Sequence, residues 1–358
     1  MKNVLFNAIL FCLLLTVTIS AQQNLPFPRV SPQASVSQNL DVFIKVTVDY
    51  SRPSVNGREV WGKLVPFGLG QNNFGNLKPM PWRAGANENT TITLSHDADI
   101  QGSRIPAGKY SMYMIPSEKD WTIIFNKNAD SWGSFFYDES LDQLRVKVAP
   151  VENSFEEDLQ YTFENITKNG MTLCLSWEKL RIPVELKFDV NEITLNEYEK
   201  LLTNLQGFNQ AAWGAAARFC LTNDFKLDRG MEMIDKAMSL LGGNNFNNKM
   251  VKAGLLEKKG EVKEASEIRE EALSSGTEAE VNAYGYQQMN AGKTDEAVEI
   301  FRRNVKNHPD SWNVYDSLAE GLANKGDKKE SAGFYEKALK MSPENQHQRI
   351  QNAIDALK

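Results

Sequence analysis

Two stretches that repeat each other decide the fold of the C-terminal half: YGYQQMNAGKTDEAVEIFRRNVKNHP at residues 284–309 and LAEGLANKGDKKESAGFYEKALKMSP at residues 318–343. Three pairs of corresponding residues lie 34 positions apart, namely Gly292 and Gly326, Phe301 and Tyr335, and Pro309 and Pro343. A regular period of this length indicates tandem units that stack on one another. Small residues such as Ala297 and Ala338 would let the two helices of a unit approach, while the aromatic residue fills the space between units.

The combination of a small residue, an aromatic residue and a proline in a 34-residue period resembles the tetratricopeptide repeat. Two earlier units fit less closely, and their marker residues are Gly260, Ala265 and Ala272 in one and Gly230, Ile234 and Ala237 in the other. The units together predict an all-α array of tetratricopeptide-type helical hairpins over residues 207–356, with a shared core. Residues 191–206 are expected to form a connecting segment.

The resemblance implies a concave groove, lined by the first helix of each hairpin, that binds an extended peptide or a helix of a protein partner. The residues expected on this groove are Asn282, Tyr286, Met289, Asn313, Asp316 and Glu320. The repeat subtype that captures C-terminal carboxylates carries Lys, Arg and Asn there, so the acidic Asp316 and Glu320 argue against that ligand. The alternative, that the array only packs against its own chain, stays open at this point.

Residues 31–190 predict a β domain, because apolar residues alternate there with a period of two. Near its end, Leu173, Leu175 and Trp177 form one row, and Ile182, Val184, Leu186 and Phe188 form another. Turn sequences such as Asn56-Gly57 and Asn169-Gly170 separate about eight strands. One-sided alternation in many short strands predicts an antiparallel β-sandwich, jelly-roll-like, whose strand order the sequence leaves open. The Gly- and Asn-rich segment 64–89 interrupts the pattern and is expected to be a long irregular loop.

Several segments of this domain together resemble one family. They are SPQASVSQ at 31–38, YSRPSVNGR at 50–58, WGKLVPFG at 61–68, WRAGANE at 82–88, IPAGKYS at 105–111 and WTIIFNK at 121–127. They resemble the domain-of-unknown-function family 2911 (DUF2911), found in secreted proteins of the Bacteroidetes and their relatives, some of which carry tetratricopeptide repeats after the β domain. The resemblance implies export and the two-part layout, and it supplies no activity. The stretch between Gly68 and Trp82 is longer than is usual in the family.

The N-terminus predicts export. Lys2 is followed by a nearly unbroken apolar run from Val4 to Ile19, and Ser20-Ala21 offers a small-residue cleavage site. This is the layout of a signal peptide over residues 1–21, after which the chain would be periplasmic or extracellular. An uncleaved N-terminal membrane anchor is the alternative.

Composition and motifs argue against several functional classes. The 358 residues carry a net charge of −6 and no long basic run, which argues against a nucleic-acid partner. The three histidines, His96, His308 and His347, form no hydrolase or zinc motif, so neither a metal nor a cofactor is expected. The favoured hypothesis is therefore an exported, non-enzymatic binding or scaffold protein whose repeats contact other proteins.

A second hypothesis places a small-ligand site or an active site in the β-domain loops. Arginine suits carboxylate and phosphate ligands, and tryptophan offers a flat face to a sugar ring. The candidate residues for an anionic or carbohydrate ligand are Arg52, Arg58, Trp61, Trp82, Arg83, Asn87 and Glu88. The alternative is that these arginines pair internally and that the tryptophans belong to the core.

Overall fold

The computed structural model describes residues 28–358 and separates the chain into two compact units, one ending at Val190 and one running from Asn191 to Lys358. The first consists of antiparallel sheets and the second of helices, which confirms the predicted antiparallel β domain followed by a helical array. The predicted signal peptide at residues 1–21 lies outside the described residues. Within 28–358, no helix is long and apolar enough to cross a membrane.

Within the described residues 28–190, ten strands form the β unit. In chain order they are β1 (Gln33–Asn39), β2 (Lys45–Ser51), β3 (Thr91–Leu94), β4 (Ala98–Ile100), β5 (Ser103–Ile105), β6 (Gly108–Ile115), β7 (Trp121–Asn126), β8 (Asp142–Val148), β9 (Val151–Glu164) and β10 (Gly170–Lys187). One sheet has the order β1-β2-β3-β6-β7-β8 and the other the order β5-β4-β10-β9, with every pair antiparallel. The strands β1, β4 and β5 lie outside the rows that the periodicity predicted. β4 and β5 have three residues each, too few to show alternation, and β1 has seven residues but buries none of them fully.

The two sheets share a core of apolar side chains. Val46, Val48 and Ile92 are buried on the six-stranded sheet, and Leu173 and Leu175 are buried on the four-stranded sheet. Rings also meet across the sheets, because the centroids of Tyr50 on β2 and Tyr161 on β9 lie 4.8 Å apart. The sandwich therefore places alternate residues of β1, β2 and β3 on an outer face, away from this core.

A β-bulge explains why the two apolar rows near the end of this unit belong to one strand. The row of Leu173, Leu175 and Trp177 has odd numbers, whereas that of Ile182, Val184 and Leu186 has even numbers, yet all six are buried. The pairing of β10 with β9 shifts on both sides of Glu178, which has a φ of 54°. An extra residue in a bulge reverses the alternation, so a single 18-residue strand keeps both rows in the core.

Ten α-helices form the second unit. In chain order they are α1 (Val190–Leu202), α2 (Gln210–Thr222), α3 (Leu227–Ser239), α4 (Phe246–Lys258), α5 (Val262–Ser275), α6 (Glu278–Asn290), α7 (Thr294–Asn307), α8 (Trp312–Lys325), α9 (Lys328–Met341) and α10 (Glu344–Ala356). Helices α2–α3, α4–α5, α6–α7 and α8–α9 form four hairpins, here called the first to the fourth hairpin, and α10 packs against α9.

Residues 191–206, expected to form a connecting segment, pack with the helical unit. Most of this segment is helical, in α1 and a short 3₁₀ helix at Leu205–Phe208. Leu195 and Leu202 are buried with Ala216, Cys220 and Ile234 in the core of the first hairpin. Their apolar packing makes α1 part of the helical unit, although no repeat motif marks it.

Glycines and aromatic side chains set the spacing of the hairpins. Gly260, Gly292 and Gly326 follow the first helices of three hairpins with φ of 88°, 79° and 97°, a conformation that favours glycine. Phe301 is fully buried between the third and fourth hairpins. A Cβ at Gly285 on α6 would lie 2.4 Å from its ring, so this glycine makes room for the aromatic residue.

Candidate functional site

The arginines predicted as ligand-binding residues at the turn after β2 instead hold that turn together. Arg52 Nε donates to the carbonyl of Leu159 at 3.0 Å. Arg58 donates to the carbonyls of Val55 at 3.0 Å and Ser54 at 2.6 Å. The same turn pairs with β9, since the Val55 N–H donates to the carbonyl of Glu157 at 2.8 Å. These guanidinium groups thus satisfy backbone carbonyls of the β unit.

Trp61 and Trp82 belong to a cluster of four tryptophans with Trp121 and Trp177. The ring centroids of Trp61 and Trp121 lie 5.0 Å apart, and Trp82 stacks on Trp177 at 6.0 Å with an interplanar angle of 18°. Trp121 and Trp177 are buried, whereas Trp61 and Trp82 are partly exposed. The predicted sugar-stacking faces are thus largely covered by other rings, which makes the cluster part of the core.

Arg83 and Asn87 hold the loop before β3 in place. Arg83 Nη1 donates to the carbonyl of Asn87 at 2.7 Å, and its guanidinium lies 5.0 Å from the ring centroid of Phe135. Burial lowers the pKa of Arg83. Gly133 packs directly on this guanidinium, and an added Cβ would lie 2.5 Å from it. The Arg83 side chain is therefore held in place by its hydrogen bond to Asn87 and by packing against Phe135 and Gly133.

Glu88 lies beyond that loop in a different environment. Its carboxylate accepts two hydrogen bonds from Arg29, at 2.6 and 2.8 Å, and the hydrogen bond from Arg29 lowers its pKa. Glu88 lines a groove on the outer face of the six-stranded sheet. The other six residues predicted for a ligand in this unit do not line this groove: Trp61 and Trp82 meet in the tryptophan cluster, Arg83 contacts Asn87, and Arg52 and Arg58 hold the turn after β2.

The residues predicted for the concave groove mostly bridge neighbouring helices. Tyr286 donates to Glu320 at 2.7 Å, and Asn313 donates to Glu278 at 3.1 Å. Met289 accepts a weak hydrogen bond from Asn324, Asp316 accepts from Arg349 at 2.9 Å, and Asn282 Oδ1 is buried without a partner among the described residues. The structure thus brings these side chains together, but as contacts that link α6 to α8 and α8 to α10.

The pair of Asp316 and Arg349 predicts a pH-dependent contribution to stability. Burial raises the pKa of Asp316, and Arg349 partly offsets this. Arg349→Ala should reduce the free energy of unfolding by about 1–3 kcal/mol at pH 7, because it leaves a buried carboxylate unpaired. When folding raises the pKa of a carboxyl group, the group contributes most to the stability of the folded state below its unfolded pKa of about 3.9. This contribution is lost as the pH rises through the pKa of the folded state.

The loss caused by Arg349→Ala should therefore shrink as the pH is lowered from 7 toward 4. Urea unfolding of wild type and variant at both pH values would measure it, with Arg349→Lys as the charge-conserving control. A loss of equal size at both pH values would contradict the assigned pair.

The helical unit carries a cleft between the second and third hairpins, here called the repeat cleft, with a volume of about 650 Å³. It is lined by α2, α4 and α6, the first helices of three successive hairpins, with contributions from α5 and the start of α7. Its apolar lining includes Leu221, Met250 and Tyr284, and its polar lining includes Asn247 and Gln287. The six residues predicted for the groove lie on a neighbouring face of α6 and α8, and none of them lines this cleft.

An arginine in place of an aromatic residue accounts for the cleft. Phe301 and Tyr335 follow Gly292 and Gly326 by nine positions, and nine positions after Gly260 stands Arg269. Phe301 and Tyr335 are buried, whereas the Arg269 side chain keeps 28% of its surface exposed and pairs with Glu257 at 2.5 Å. The position that Phe301 occupies one repeat later therefore holds a polar side chain, which borders the cleft, whereas Phe246 packs with Val281 and Ile300 elsewhere at the junction of the second and third hairpins.

Among the cations that line the repeat cleft, Arg269 and Lys293 are paired with described carboxylates and Arg218 is not. Arg269 pairs with Glu257, and Lys293 lies 3.4 Å from Glu296. Glu280 is held by the capping box that starts α6. Arg218 is exposed and makes no ion pair with any residue in 28–358. Burial raises the pKa of Tyr284, so its hydroxyl remains a neutral hydrogen-bond donor.

The sequence contains a signal for this cleft that the 34-residue period does not capture. Aligning the three glycines at 260, 292 and 326 places Arg269 at the position of the inter-hairpin aromatic residue. The second and third units are also spaced more closely than 34 residues, so their packing could not follow from the regular repeat. Among residues 28–358, no group of three or more His, Cys, Asp or Glu side chains is arranged to hold a metal ion.

Comparison with protein families assigns the β unit. Residues 31–186 match the model of the family described as "Protein of unknown function (DUF2911)". This confirms the predicted resemblance, and a helical array follows the matched residues. None of the curated proteins matches the chain in sequence.

Solved structures resemble the helical part of the chain. A crystal structure of MamA is 16% identical, with 42% of this chain and 88% of that chain covered and a TM-score of 0.27. A second structure, described as "YrrB: a TPR protein with an unusual peptide-binding site", is 19% identical, with 46% and 84% covered and a TM-score of 0.27.

Proposed function

We propose that this chain is an exported, non-enzymatic binding protein whose helical unit captures a peptide segment of a partner protein in the repeat cleft. The observation that carries the proposal is the replacement of the inter-hairpin aromatic residue by Arg269, which puts a partly exposed polar side chain beside the cleft where Phe301 is buried one repeat later. Export is supported by the predicted signal peptide at residues 1–21, with the periplasm or the extracellular space as destination.

The chemistry of the repeat cleft favours a peptide with both apolar and acidic side chains. Leu221, Met250 and Tyr284 offer apolar surface, which provides most of the affinity when peptide side chains are buried. Asn247 and Gln287 offer amide groups that can pair with a peptide backbone. Arg218 is the cation without an internal partner, so an acidic side chain of the peptide would complement it.

Ala283 on α6 provides a direct test, because its exposed side chain lines the repeat cleft. Peptides would be selected from a displayed random library against the chain from Gln22 onward, and their affinities measured by fluorescence polarisation. Ala283→Trp should weaken the selected peptides at least about tenfold, or about 1.4 kcal/mol, because the indole would occupy the cleft. Ala215→Trp is the matched control, since Ala215 is an exposed helical alanine on α2 outside the cleft lining.

The outcomes separate the proposal from its alternatives. Equal affinities for wild type and Ala283→Trp, with both folded, would show that peptides bind elsewhere, and a library that yields no binder would refute peptide capture. Arg218→Glu adds a test of ligand charge, because it should disfavour acidic peptides and allow basic ones. The second hypothesis, a ligand site around Arg52, Arg58 and Arg83, loses support because these side chains make internal contacts.

A further inference from the structure

We propose that the β unit carries a separate binding site for neutral carbohydrate, in a groove on the outer face of the six-stranded sheet. This sheet groove has a volume of about 650 Å³ and is lined by β1, β2, β3 and β6 together with two loops. It contains neither Arg52, Arg58 nor Arg83, and it lies entirely within the β unit. The proposal is therefore independent of peptide binding by the helical unit.

Strand register arranges polar side chains in rows on the floor of the sheet groove. Ser35 on β1 pairs with Asp49 on β2, and Asp49 pairs with Thr91 on β3, so these three form one row across the sheet. Gln33 and Ser51 form the next row. Neighbouring strands lie about 4.8 Å apart and same-face residues along a strand about 6.8 Å apart. Of these residues Gln33, Ser35 and Asp49 are exposed and present amide, hydroxyl and carboxylate groups to the groove, whereas Ser51 and Thr91 are buried.

Two loops, at residues 88–89 and 129–131, form the walls of the sheet groove, and buried hydrogen bonds connect one loop to the other. The Asn89 side chain donates to the carbonyl of Ala129 at 3.1 Å and also contacts Ser111 Oγ. Ser111 Oγ in turn donates to the carbonyl of Asn128 at 2.5 Å. Asn89 and Ser111 are buried, so both walls are held in place before any ligand arrives. A preorganised site of this kind spends less free energy on ordering when it binds.

The charges of the sheet groove favour a neutral ligand rich in hydroxyl groups. Asp49 and Asp130 are exposed and make no ion pair with described residues, while Glu88 is neutralised by Arg29. Two free carboxylates against the single cation Lys109 would repel an anion. A predominantly apolar ligand would leave the floor's polar groups unpaired. Carbohydrate hydroxyls can both donate to the carboxylates and accept from Lys109 and the serines.

Calorimetric titration of the chain from Gln22 onward tests the proposal. The probes are neutral oligosaccharides of glucose, mannose, xylose and N-acetylglucosamine, with oligogalacturonate as the acidic probe. At least one neutral probe should bind, and Asp49→Ala should weaken it about tenfold or more, because hydrogen bonds to charged groups are among the stronger ones. Asp120→Ala is the matched control, since Asp120 is an exposed aspartate in a turn outside the groove.

Every other outcome overturns the proposal. It would be overturned if no neutral probe bound at about 10 mM, or if oligogalacturonate alone bound. It would also be overturned if Asp49→Ala left the affinity unchanged. Thermal unfolding of each variant confirms that it is folded, and Asp130→Asn supplies a second substitution on the wall. Ala283→Trp should leave carbohydrate binding unchanged, which separates a failure of this proposal from a failure of peptide capture.

Discussion

Phe301→Ala should reduce the free energy of unfolding of the helical unit by about 3–5 kcal/mol, the usual cost of deleting a buried aromatic side chain. Phe301 is fully buried. It packs between Gly285 on α6 and Gly321 on α8, and its ring centroid lies 5.1 Å from that of Tyr286. The glycines cannot fill the resulting cavity because they have no side chains. The junction of the third and fourth hairpins should therefore loosen.

Arg269→Ala is the matched control for Phe301→Ala, because Arg269 occupies the equivalent position one repeat earlier. It should cost less than about 1 kcal/mol, since its ion pair with Glu257 is partly solvent-exposed and such pairs contribute little. Hydrogen exchange of the amides in α6, α7 and α8 would localise the loss in Phe301→Ala, and exchange in α4, α5 and α6 the loss in Arg269→Ala. Equal losses at the two positions would contradict the conclusion that Arg269 contributes less to packing than the aromatic residue at the equivalent position.

Trp177→Ala should destabilise the β unit by a similar amount, about 3–5 kcal/mol. The side chain is 1% exposed, contacts Trp61 and Trp82, and donates from Nε1 to the carbonyl of Glu157 at 3.3 Å. It also stands next to the bulge at Glu178, where β10 changes its alternation. Its removal would thus open the tryptophan cluster and weaken the strand that supplies much of the core.

Trp132→Ala is the control for this second prediction, because Trp132 lies in the same unit and is 56% exposed. Its free energy of unfolding should stay within about 0.5 kcal/mol of wild type. Guanidinium unfolding, combined with hydrogen exchange of β9 and β10, would compare the two variants. If Trp177→Ala unfolded no more easily than Trp132→Ala, the cluster would not be part of the stabilising core.

The sequence alone determined the division into a β domain and a helical array. Apolar periodicity depends on which side chains face a core, and the period changes from two to a helical spacing between the two parts. The 34-residue spacing of Gly292 and Gly326, and of Phe301 and Tyr335, similarly predicted the helical hairpins, because each repeat packs against its neighbour in the same way. Apolar periodicity and repeat spacing can be read directly from the sequence, because both depend on residues that are close to one another in the chain.

Only the tertiary structure decided which polar residues are available to a ligand. Three arginines proposed as ligand-binding residues instead donate hydrogen bonds to backbone carbonyls: Arg52 to Leu159, Arg58 to Val55 and Arg83 to Asn87. No sequence pattern predicts these partners. The repeat cleft and the sheet groove each need side chains from several separate elements. Their lining depends on how helices are spaced and how strands are registered, which are long-range outcomes of packing rather than of local sequence.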